Sequence, residues 1–63
     1  MATKYTKTAQ GRTTTKTVIP VKGHAKVETF YSDMGDGAVY QEPDGARAVG
    51  KRLLANGFKR VKS

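Results

Sequence analysis

Among the side chains able to do chemistry, His24 stands alone: it is the single histidine, cysteine is absent, and no serine lies near it in a nucleophile motif. An isolated imidazole at a strand start lacks the orienting partner that acid–base or nucleophilic work requires. Asp33 and Asp36, in the stretch DMGDG, do not follow the alternating spacing of a calcium loop, and aspartate and glycine are what a tight turn selects. Glu28, Glu42 and Asp44 form no evident acid/base pair, and the scattered glycines make neither a Walker loop nor a dinucleotide fingerprint. The expectation is therefore no catalytic residue, no metal site and no cofactor, in a protein that is not an enzyme.

The cations carry more. Residues 1–27 hold Lys4, Lys7, Arg12, Lys16, Lys22 and Lys26 and no acid. Residues 28–44 hold five acids (Glu28, Asp33, Asp36, Glu42, Asp44) and no Lys or Arg, and residues 45–63 return to six cations and no acid. A chain that reads plus, minus, plus, with a formal net charge of +7, favours a surface with separate basic and acidic regions, and a basic field attracts polyanions. Lys and Arg hold backbone phosphates without any sequence signature. The expected function is phosphate-directed, nonspecific binding of DNA or RNA by Arg47, Lys51 and Arg52 on a helix and Lys59, Arg60 and Lys62 on a last strand. Lys4, Lys7 and Arg12 would extend that patch. The alternative is a small protein-interaction module, such as a phage-type inhibitor of a host protein or a virion- or ribosome-associated accessory protein. Its acidic middle segment or an open sheet edge would meet the partner. A membrane surface is not expected, because the basic helix lacks the bulky apolar face such binding needs.

These residues need elements to hold them. A chain of 63 residues has room for one small core and buries only about 60% of the surface its unfolded form exposes. Apolar runs never exceed two or three residues, so neither a spanning helix nor a signal-peptide core is expected, and the location is read as cytoplasmic and non-secreted. Residues 1–16, MATKYTKTAQGRTTTK, have Tyr5 as their only large apolar group and are expected to form a flexible basic arm. The folded domain is then 17–63.

TVIPV reads as a strand confined to an edge or bulge by Pro20. Two further strands flank DMGD, with Asp33–Asp36 as a four-residue loop and Val27, Tyr31 and Tyr40 on the buried face. Tyr31, Tyr40 and Phe30 would stack on bases only if their face were open, and they are expected in the core. Asp44 is the expected N-cap of a helix whose apolar positions Ala46, Val49, Gly50, Leu53 and Leu54 span about 140°. Asn56-Gly57 should end it in a Schellman cap with Phe58 packed on Leu53, and FKRVK should add a short strand carrying Phe58 and Val61 inward. The fold class is thus α+β: a three-stranded antiparallel sheet, one helix and a C-terminal strand (βββαβ), with a flexible basic N-terminal arm.

Overall fold

The computed structural model describes residues 2–61. Strands β1 (Thr3–Ala9), β2 (Arg12–Val21), β3 (His24–Tyr31) and β4 (Gly35–Glu42) are followed by helix α1 (Ala46–Ala55) and by β5 (Lys59–Arg60). They form one five-stranded antiparallel sheet in the order β4-β3-β2-β1-β5. Both the expected three-stranded sheet and the expected arm are corrected by this. Residues 3–9 are a strand with neighbours on both sides, β2 and β5. The turn that makes them so is Gln10-Gly11, with φ of 54° and 78°. Two left-handed residues in succession suit a two-residue hairpin, whose usual signal is Asn-Gly or Asp-Gly, and Gln-Gly carries that signal poorly.

The run of threonines and Tyr5 supplied β-propensity without visible burial. The burial comes from across the chain: Tyr5 is a core residue, packed with Val18, Ala25 and Val27 of the sheet and Val49 and Leu53 of the helix. Pro20 is tolerated in what is otherwise a central strand. The β1–β2 ladder ends at Thr3↔Val18, so on that side Pro20 faces no strand and is locally at an edge.

The β3–β4 register also departs from expectation. The loop is Ser32–Met34, with Tyr31 opposite Gly35; Val27 lies opposite Tyr40, and a bulge follows between Glu28 and Phe30. Relative to a four-residue loop, the Val27–Tyr40 part of the ladder slips by two residues, and a slip of two preserves the faces. Val27 and Thr29 accordingly turn toward the core, while Phe30 and Val39 lie on the other side.

Helix α1 starts from Gly45 rather than Asp44, with no side-chain cap. Its end follows the expected geometry: the Phe58 amide donates to the Leu53 carbonyl at 3.0 Å and the Gly57 amide to Leu54 at 3.2 Å, with Gly57 at φ 93°. Phe58 then packs against the core, whereas Val61, expected inside, stays exposed. The helix settles on one sheet face because Gly50 has no side chain there and the Tyr5 hydroxyl occupies the space. Among the described residues, the opposite sheet face carries no element.

Candidate nucleic-acid interface

In an antiparallel ladder, directly opposed residues share a face. Arg60 lies opposite Tyr5 and so belongs to the helix side, whereas Lys59 lies opposite Thr6 and belongs to the open side. Lys4, two residues before Thr6, also faces the open side, and its carbonyl accepts the Val61 amide at 2.8 Å. Lys7 is on the helix side, where its ammonium donates to the Asn56 carbonyl at 2.8 Å and sits 5.8 Å from the centre of the Phe58 ring. That contact offsets the negative end of the helix.

Around α1, Arg47 and Arg52 are separated by about 140° at 100° per residue. Arg52 points to β4, with a terminal nitrogen 2.8 Å from Glu42 and 3.5 Å from Asp44. Arg47 falls on the other flank, on the side where Gly50 meets Tyr5 of β1, while Lys51, about 150° from the buried Val49–Gly50–Leu53 side, is on the outward face of the helix.

The β1–β5 edge therefore carries Lys4 and Lys59 on its open face and Lys7 and Arg60 on its helix face, with Arg47 on the adjoining helix flank and Lys51 on the outward face of the helix. Two expected members are elsewhere. Arg52 is drawn to the acids at the end of β4, and Arg12, at the β1–β2 hairpin, pairs with Asp33 at 2.9 Å, lies 5.1 Å from the Tyr31 ring centre and donates to the Met34 sulfur at 3.3 Å. Lys62 lies outside the described residues. Among the described residues, the ion pairs take up only Arg12 and Arg52.

The acids lie mainly toward β3 and β4, although Asp33 reaches Arg12 at the β1–β2 hairpin. Glu28 is on β3, Asp33 in the following loop, Asp36 and Glu42 on β4, and Asp44 just beyond it. Three strand spacings separate β1 from β4, about 14 Å. The Debye length at physiological ionic strength is about 8 Å, so across water the acids of β4 do little to cancel the basic edge.

Two further residues matter: Lys16, which the pattern of the chain did not single out, and Phe30, which was expected in the core. Lys16 crosses from β2 toward β4 on the helix side. It donates to the Thr29 hydroxyl at 3.1 Å and the Tyr40 hydroxyl at 3.3 Å, with its ammonium 5.3 Å from the Tyr40 ring centre. Phe30 lies on the open face, 48% exposed, in a cross-strand row that reads Lys59, Thr6, Thr15, Phe30, Asp36. Alternation along β3 was the available signal for Phe30, but which face the helix covers was not written in that strand.

His24 stays at its turn, its Nδ1 3.2 Å from the Lys22 carbonyl. No helix is long and apolar enough to cross a membrane among the described residues. No family model matches the chain, and no curated protein or solved structure is significantly similar to it.

Proposed function

We propose that this is a small nucleic-acid-binding protein that holds phosphates along its β1–β5 edge. The observation that carries the reading is the placement along that edge of Lys4 and Lys59 on the open face and Lys7 and Arg60 on the helix face, flanked by Arg47, with no carboxylate partner among the described residues. A phosphate chain replaces the condensed counterions it sheds with these side chains, which is a sequence-independent attraction. Its partners are DNA or RNA, and a cytoplasmic location accompanies the reading.

Salt tests it. Neutralising about five phosphates gives a slope of log affinity against log salt near −4 to −5 on duplex DNA and about −3.5 on a single strand. A Lys4→Ala/Lys59→Ala/Arg60→Ala variant should make the slope shallower by about 2 to 3. Arg52→Ala should leave it unchanged, since that guanidinium already serves Glu42 and Asp44. Failure of the protein to be retained on either DNA or RNA at low salt would reject the reading.

A second reading rests on the outer edge of β4, which no strand among the described residues covers. A protein partner adding a strand there would meet Asp36 and Glu42. Protection of the β4 amides from hydrogen exchange by such a partner would distinguish it from a polyanion held at the far edge.

A further inference from the structure

The molecule has five aromatic rings, and four of them are engaged. Tyr5 is buried beneath the helix. The rings of Tyr31, Tyr40 and Phe58 each have a cation above them, respectively Arg12, Lys16 and Lys7. Phe30 is the exception. It stands on the sheet face without a helix, with Thr15 opposite it, and has no cation over its ring among these contacts.

We infer that the polyanion is single-stranded and that it crosses this open face from the basic edge, ending with an unpaired base stacked on Phe30. The inference rests on the nucleic-acid reading above and adds the strand state and the route. The route is the cross-strand row: Lys59 at the β5 end, the hydroxyls of Thr6 and Thr15 in the middle, and the ring of Phe30 three strand spacings away, about 14 Å. Lys4 and Thr17 lie in the row beside it.

The order of charge gives the route a direction. Lys59 and Lys4 attract phosphate at one end, while Glu28 and Asp36, next to Phe30, repel it from going further toward β4. A base can lie on an exposed ring where a phosphate would not be stable. A duplex offers no free base face within its length, so Phe30 contributes only when bases are unpaired.

The test compares a fluorescent oligothymidylate with a duplex of the same length, binding the full chain at low salt. Phe30→Ala should weaken oligothymidylate binding by about 5- to 100-fold and leave duplex binding unchanged. Phe30→Trp should keep the affinity and show emission quenched by oligothymidylate, a readout that a merely structural role would not produce. Equal losses on both polymers, or none on either, would overturn the inference while leaving the basic-edge reading intact. Blue-shifted, concentration-dependent Trp emission without nucleic acid would overturn it in favour of a second copy covering the face. Absence of binding to both polymers by the unmodified protein would remove both readings together.

Discussion

Lys16 shows how a cation in this chain can be structural. Its neighbour Thr29 is 5% exposed, and the Lys16 ammonium supplies that buried hydroxyl with a donor while lying by the Tyr40 ring. A cation–π contact with a part-exposed ring contributes about 0.5–1 kcal/mol, and a hydrogen bond a similar amount. Lys16→Met keeps the stem and removes the charge. It should destabilise the fold by about 1 kcal/mol, read as a fall in Tm of about 4–8 °C, with the salt slope of nucleic-acid binding unchanged. A steep drop in affinity with no change in Tm would instead make Lys16 a phosphate ligand. Arg12 and Asp33 are both more than a third exposed, so their pairing adds only about 0–1 kcal/mol.

At the scale of elements, β1 is the decisive one. Because it lies between β2 and β5 and delivers Tyr5 to the helix, deleting residues 1–9 should abolish the cooperative thermal transition rather than remove a dispensable tail. A truncated chain that melts like the full one would restore the arm. The end of α1 gives a milder test. Gly57 sits at φ 93°, so Gly57→Ala should cost about 1–2 kcal/mol from backbone strain, while the nearest Lys7 side-chain atoms, at 3.4 Å or more, can yield. Leu53→Ala removes a helix residue that packs into the core and should cost about 2–5 kcal/mol, enough to unfold much of a domain whose total stability is of the order of 5 kcal/mol.

At the scale of the whole molecule, the sheet order turns a charge pattern into a shape. The basic C-terminal block returns beside the basic N-terminal block because β5 pairs with β1, and the acidic middle block is left at the opposite edge on β4. The result is a molecule with one basic edge, at β1–β5, and an opposite side where the acids are accompanied by Arg12, Arg52 and Lys26, an asymmetry that should orient it on a polyanion. Reversing two edge charges, Lys59→Glu/Arg60→Glu, should eliminate retention on heparin or DNA at physiological salt, whereas Arg12→Glu/Arg52→Glu, an equal change in net charge, should weaken it far less. Equal effects would mean that net charge alone, and not its placement, governs the attraction.

The helix and its stop were legible from their residues because the determinants are local, whereas the expected Asp44 cap and an inward Val61 were not borne out. Apolar spacing, the Asn56-Gly57 stop and the Phe58–Leu53 contact all act within a few turns of backbone. The charge segregation was equally visible, being a matter of order along the chain. What only the tertiary structure decided was nonlocal: that a polar, threonine-rich segment becomes a central strand, that the two basic blocks meet, that Arg12 and Arg52 are drawn to acids, and that Phe30 rather than Tyr31 is left bare. Each depends on which strands pair and which face the helix covers. Strand propensity is half a property of the neighbour, and for β1 those neighbours are β2, beyond a tight turn, and β5, at the other end of the chain.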